Sequence, residues 1–363
     1  MIAHEQNHFA PAAASVGDQH RDILNRKIVS GARSARHLLE TIERDAPQDA
    51  IVRAGALSFS AAGGRLLVGF GSDCHSLSSF AMSQVAERAG VPHPYLAGLL
   101  GASADDDGGW RLELARDVLQ RHYAHDPGRM LIRTVAGQVR GWLSDRFRRI
   151  DSRPLLEALS QEAASLGAVP VDGVVTETRL ALKVLLPEIL EPVPGEFVAL
   201  GGEWSNSDFG NGTHSFRAFA LRVVCLNGAV AENALRQVHL GARLHDDIEL
   251  SAQTYRLDTL ANASALRDVV RATLGPKGRD RLLGKIQQAH DTTFSGAQLA
   301  TATRRLPKAT AKTIADAFTG NDVVNLPPGN TAWRASNAIS WVARATEDAE
   351  ARLDLERLAG AVM

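Results

Sequence analysis

The sequence predicts an α+β protein: a largely antiparallel sheet with packed helices, followed by a mostly helical C-terminal region. Three observations carry this. Up to about residue 250, short apolar runs bounded by glycines alternate with segments of helical period. The run from Ser215 to Cys225 is apolar on both alternating sides, with Phe219, Leu221, Val223 and Cys225 on one and Phe216, Ala218, Ala220 and Val224 on the other. That pattern marks an inner strand covered on both faces. Beyond Ser251 the strand signals give way to helix-period segments punctuated by Pro276, Pro307, Pro327 and Pro328.

Taken in order, residues 1–20 are rich in Ala, His, Gln and Pro without apolar period and are expected to be a mobile leader. Residues 21–250 form the expected α+β core domain, and 251–363 the helical C-terminal region, either a second domain or a cap on the first. Ile23 to Ile42 suits a surface helix. Val52 to Phe59 and Arg65 to Phe70 read as a hairpin across Ala61-Ala62-Gly63-Gly64. Ser79 to Leu100 has the outline of a helix-turn-helix, but the second helix, Pro94 to Leu100, is short and apolar where base reading needs polar side chains, so packing is the expected role. Asp105-Asp106-Asp107-Gly108-Gly109 marks a loop that lacks calcium-ligand spacing. Trp110 to Tyr123 reads as a helix, Arg129 to Val135 and Gln138 to Leu143 as a hairpin, and Pro154 to Leu166 as an amphipathic helix. Strands are expected from Val169 to Leu186 and from Glu196 to Trp204, the latter leading into a polar loop. Asn227-Gly228 supplies the two positive-φ positions of a tight turn after the Ser215 strand. Helices are expected over Ala265–Leu274, Gly278–His290, Ala309–Phe318, Ala332–Ala345 and Glu347–Leu358.

The totals exclude several classes. Lys+Arg 40 against Asp+Glu 41 leaves no overall polyanion-seeking field, so any basic surface is local. No signal-peptide or membrane-spanning run is evident, which points to a cytoplasmic protein without membrane contact. The two cysteines, Cys74 and Cys225, are too few for a disulfide framework or a thiolate zinc site and read as small buried residues. His239 and His245 are too far apart on a strand, and too divergent on a helix, to share a metal, and His122 and His125 lack a third ligand. No metal site and no cofactor are expected. Phosphate loops, nucleophile elbows and dinucleotide fingerprints are not found.

Two stretches are locally basic. Arg111 to Arg153 holds ten arginines against five carboxylates, and Arg271 to Lys312 holds nine cations against Asp280 and Asp291. Cations gathered on one face displace counterions from a nucleic-acid backbone, whereas the alternative is a solvated helical face balanced by the acidic tail. Trp333, Asn337 and Trp341 share a helical face and read as core anchors before base-stacking groups. Asp145, Asp151, Glu203 and Asp208 are the carboxylates in settings suited to acid–base or magnesium chemistry. For Asp145 and Asp151 the simpler reading is turn capping, or pairing with Arg146, Arg148 and Arg149.

Several segments together resemble a family of phage- and plasmid-like proteins that carry a domain of unknown function. They are Leu131-Ile132-Arg133-Thr134, Leu143 to Asp151, Ser205-Asn206-Ser207-Asp208-Phe209-Gly210, Arg222 to Gly228, and Thr331-Ala332-Trp333 with Asn337-Ala338. Asp208 stands where the family often has Glu, and Phe147 where it often has Tyr. The resemblance implies a mobile-element setting in replication, recombination or plasmid maintenance, but carries no established activity.

The leading expectation is a non-enzymatic protein that binds DNA in single-stranded form, with annealing as its use. Arg146, Arg148, Arg149, Arg279, Arg281, Lys285, Arg304 and Arg305 would hold phosphates. The rival is an enzyme acting on nucleic acid or nucleotides through Asp145, Asp151, Glu203 and Asp208, with magnesium entering only there. A third is a host-interaction or assembly protein, and homo-oligomers are open to all three. The loop residues Ser205, Asn206 and Ser207 mark the place where a site is expected.

Overall fold

The computed structural model describes residues 16–101, 109–224, 226–241, 250–320 and 325–363. The chain opens on a long helix, α1 (Val16–Arg44), which starts inside the stretch expected to be a leader; residues 1–15 lie outside the described residues. Strands β1 (Gln48–Arg53), β2 (Ser58–Ala62), β3 (Arg65–Phe70) and β4 (Asp73–Leu77) follow, then helices α2 (Ser79–Arg88), α3 (His93–Gly101) and α4 (Trp110–Ala124), then β5 (Arg129–Val135) and β6 (Gln138–Ser144). These strands make one six-stranded sheet in the order β1-β5-β6-β4-β3-β2. Its pairings are antiparallel except β4 with β6.

The apolar run Val52–Phe59 is divided between two strands. β1 pairs with β5 at one edge, a short 3₁₀ turn over Ala54–Ala56 carries the chain to the other edge, and only β2 forms the expected hairpin with β3. Leu96 and Leu99 of α3 are buried with Val85, Leu119, Tyr123 and Trp142, so the helix pair α2–α3 serves packing, as its apolar sequence requires. The aspartates of residues 105–107 lie outside the described residues.

The second sheet follows helix α5 (Ser152–Ser165). It contains β7 (Val169–Val175), β8 (Leu180–Leu185), β9 (Leu190–Val193), β10 (Glu196–Asn206), β11 (His214–Arg222) and β12 (Asn227–Gln237), ordered β12-β11-β10-β8-β7 with β9 on the start of β10. α1 lies against its edge strand β7 at backbone distance. A Cβ on Gly31 would fall 2.1 Å from the Val171 carbonyl, and one on Gly173 would fall 2.5 Å from the Ser34 carbonyl oxygen. Only glycine permits that approach.

Both faces of this sheet are covered, as the Ser215–Cys225 pattern demands. Leu182, Val184, Trp204 and Phe216 pack under α1, α5 and the next helix, α6 (Ala252–Leu274). Leu185, Ala199, Phe219 and Leu221 pack on the other side with Leu24 of α1. The β11–β12 turn differs from its expectation: Asn227 and Gly228 already belong to β12, opposite Arg222 and Leu221, and the positive φ falls on Leu226. Gly228 serves space instead, since a Cβ there would meet the Phe219 ring at 2.7 Å. Cys225 lies outside the described residues, and Cys74 is exposed, not buried.

The C-terminal region is helical: α6, α7 (Pro276–Asp291), α8 (Gly296–Thr303), α9 (Lys308–Thr319), α10 (Ala332–Ala345) and α11 (Ala349–Val362). It lies on the second sheet. Trp333 packs with Val198, Leu200, Ala218 and Ala220, and Ala229 of β12 joins the α8–α11 core. No helix among the described residues is long and apolar enough to cross a membrane.

Candidate functional site

Arg133 is the centre of the most elaborate polar arrangement. It sits in β5 with 2% of its surface exposed, a charge placed in an apolar run. Its guanidinium donates to Asp49 Oδ1 at 2.7 Å, to Asp151 Oδ1 at 2.6 Å and to the Asp208 carbonyl at 2.9 Å. Fully buried charges persist only when compensated, and here two carboxylates and a carbonyl do so.

Asp208 is built into the same group. Ser152 donates to its Oδ1 from both N–H, at 3.1 Å, and Oγ, at 2.8 Å, and the Asn206 side-chain amide adds a bond of 3.2 Å. Burial, with the neighbouring Asp151 charge adding to it, pushes the carboxyl up to about 6 despite the Arg133 charge and the Ser152 bonds. Asn206 ties the group to the Ile150 carbonyl at 2.8 Å and to the His239 ring at 2.9 Å. His239 stacks on Phe147 at 4.9 Å and also meets the Arg148 carbonyl at 2.9 Å. Both of its ring nitrogens face oxygens, which only an imidazolium satisfies with two donations. Burial is the larger influence and lowers its pKa.

The four candidate carboxylates therefore separate. Asp151 and Asp208 come together beside Arg133. Asp145 is apart, 3.7 Å from Arg129. Glu203 is fully buried on the opposite side of the second sheet, in a cross-strand row with Lys183 and Arg217, and takes Arg357 of α11 at 3.1 Å. The expected pairing of Asp145 and Asp151 with Arg146, Arg148 and Arg149 is replaced by Arg129 and Arg133, the arginines that the β5 register brings to them. The expected loop residues are also reassigned. Ser205 and Asn206 end β10, and all of Ser205, Asn206 and Ser207 are buried; the Ser207 hydroxyl donates to the Thr178 carbonyl at 2.6 Å.

Asp151, Ser152 and Asp208 open onto a cleft of about 740 Å³ between the two sheets. α1 contributes His37, Thr41, Ile42 and Arg44, β6 contributes Gln138 and Arg140, α5 contributes Arg153, and the β7–β8 turn contributes Thr176 to Arg179; Asp45 and Phe209 also line it. Arg140 lies 5.0 Å from the Phe209 ring centre and donates to the Glu177 carbonyl at 2.7 Å. Arg44 pairs with Asp45, Arg153 with Glu157 and Arg179 with Asp354. Arg44, Arg179 and Ser152 were not visible as site residues in the sequence, because they reach the cleft from separate elements. Arg133 did carry a signal, a lone cation between Ile132 and Thr134 in a buried strand.

The two basic stretches behave differently. Arg148 forms a two-pronged pair with Asp258, and Arg149 is 3.3 Å from Asp49 and 4.1 Å from the Tyr255 ring centre. Arg146 is half-buried. Arg279 pairs with Glu188 at 2.7 Å, and Arg281 is exposed. By contrast, Lys277, Lys285, Arg304, Arg305, Lys308 and Lys312 have no carboxylate partner among the described residues, and all but the half-buried Lys285 are exposed. The stretches do not merge. Arg148 meets α6 at Asp258, the second stretch begins at Arg271 near the far end of that helix, and the intervening turns span about 20 Å.

Trp333 is buried with its indole N–H on Glu196 at 3.0 Å, and Asn337 donates to the Trp333 carbonyl, so this helical face is core. His122 and His125 are exposed, and His245 lies outside the described residues. Among the described residues no group of three or more His, Cys, Asp or Glu is placed to hold a metal ion. Comparison with family models, curated proteins and solved structures gives no match for this chain.

Proposed function

We propose that the protein binds nucleic acid through the α7–α9 face, in the cytoplasm and in the mobile-element setting that the sequence resemblance implies. The observation that carries this reading is the set of six cations, Lys277, Lys285, Arg304, Arg305, Lys308 and Lys312, without carboxylate partners among the described residues. Cations already paired within a protein must lose that partner to take a phosphate; unpaired ones release counterions directly. Single-stranded DNA is the partner proposed. Aromatic side chains on this face, Phe294 and Phe318, pack into the helical core, so backbone charge and not base stacking supplies the affinity.

A mobility shift with a labelled oligonucleotide tests the reading. Retention at low salt, lost steeply as salt rises, is expected. Replacing Arg304 and Arg305 together by Glu should weaken binding at least tenfold. Absence of retention at low ionic strength would overturn it.

A second reading, acid–base chemistry on a nucleotide or nucleic acid, is favoured by the approach of Asp151 and Asp208 at the cleft, two carboxylates held in different environments. Turnover that depends on magnesium or manganese and vanishes in Asp208→Asn would support it.

A further inference from the structure

We propose that the cleft between the two sheets is a second binding site, shaped for a single nucleotide. It rests on the nucleic-acid reading for the chemical class of ligand alone; its residues are separate from the α7–α9 face.

The cleft volume, about 740 Å³, falls within the range of small-molecule sites. Its walls divide by chemistry. Ile42, Val175, Leu180 and Phe209 supply apolar surface, and the Arg140 guanidinium lies over the Phe209 ring, so that a base stacks on the outer plane of the guanidinium or on the ring face it leaves open. Arg140 makes no direct ion pair among the described residues: one N–H goes to the neutral Glu177 carbonyl, its Nε is buried, and the Asp45 carboxylate of the same cleft feels its charge from a distance. A phosphate would have no carboxylate to displace from Arg140 directly, which suits it to hold one. Arg44, Arg153 and Arg179 stand around it, each paired with a carboxylate that is itself partly exposed. Such pairs are weak in water and exchange readily for an anion.

Asp208, next to Phe209 in the chain, is nine-tenths buried yet lines the cleft, with Oδ1 fully engaged by Ser152 and Asn206. Together with Asp151 it offers acceptors to a ring or amino N–H of a base. A phosphate donor set, a stacking element and a carboxylate floor, the last two built on the adjacent residues Phe209 and Asp208, match the three parts of a nucleotide.

Titration of the full-length protein with each of the four deoxynucleoside monophosphates, followed by calorimetry, tests this. Binding of at least one is expected, with inorganic phosphate and the free nucleoside each at least tenfold weaker. Arg140→Ala should weaken it tenfold or more. His37→Trp is the second variant: it adds bulk at an exposed position of the cleft wall without removing a described hydrogen bond, and should obstruct entry in a folded protein. If Arg140→Ala also weakens oligonucleotide binding, the ligand is one unit of a strand; if it leaves that unchanged, the ligand is a free nucleotide. No binding at millimolar nucleotide, or binding indifferent to both variants, overturns the proposal. Oligonucleotide retained without mononucleotide binding sinks this inference alone, and the converse sinks the α7–α9 reading alone.

Discussion

At the scale of single residues, Arg133 and Asp208 carry opposite signs of the same buried problem. Arg133 joins Asp49 and Asp151 across β1, β5 and the start of α5, so its removal leaves two carboxylates facing a hole in the fold. Arg133→Met should cost about 3–5 kcal/mol, read as a lower denaturation midpoint with unchanged slope. Asp208 opposes folding at neutral pH. Its folded pKa, about 6, lies above the unfolded value of 3.8, so the native state binds more protons between those limits and stability falls as pH rises from about 4 to 6. The cost above pH 6 is about 3 kcal/mol. Asp208→Asn keeps an acceptor for Ser152 and removes the titrating group. Denaturation at pH 4.5 and pH 7.5 should show this contribution in the parent and not in the variant; equal pH dependence in both would refute it. In sequence Arg133 counts with the basic stretch from Arg111 to Arg153, and its burial was legible only in its strand-forming, apolar neighbours. Its partners were not, since Asp49, Asp151 and Asp208 are separated in sequence and meet only through sheet register.

At the scale of elements, α11 shows how a late helix sets an early turn. Glu350 Oε1 accepts the hydroxyls of Thr176 and Thr178, each at 2.6 Å, and Asp354 takes Arg179 at 3.1 Å. Three of the four residues from Thr176 to Arg179, one wall of the cleft, are thereby held by a single helix. Within the turn, Thr176 Oγ1 accepts the N–H groups of Thr178 and Arg179, so loosening that hydroxyl loosens two backbone amides. Glu350→Ala should therefore speed amide exchange at Thr178 and Arg179 by tenfold or more while the core strands keep their protection. Glu350→Gln retains an oxygen acceptor and should restore most of it; unchanged exchange in Glu350→Ala would show that the wall is held without α11. The helix itself was readable from period and proline punctuation, as were α4, α7, α9 and α10. α8 was missed because it is eight residues long and buries only Leu299 and Thr303, too few positions for a period to show. The β11–β12 turn was misplaced because Asn227 and Gly228 pair within β12 opposite Arg222 and Leu221, Gly228 being needed for the space the Phe219 ring takes, while the positive φ falls on Leu226.

At the scale of the whole molecule, charge that looks alike in sequence divides into structural and available parts. Arg148 and Arg304 both lie in basic stretches, yet one clamps the chain after β6 to α6 through Asp258 and the other stands exposed at the end of α8. Local composition cannot separate these, because the partner of Arg148 lies 110 residues away in sequence. The two variants should thus fail differently. Arg148→Ala breaks a half-buried, two-pronged ion pair and should cost about 1–3 kcal/mol of stability, with the salt dependence of oligonucleotide binding unchanged. Arg304→Ala should leave stability within about 0.5 kcal/mol and lower the slope of log affinity against log salt by about one phosphate contact. Measuring unfolding and salt-dependent binding on both proteins decides the matter. A slope change in Arg148→Ala at full stability would move the binding surface to the first basic stretch.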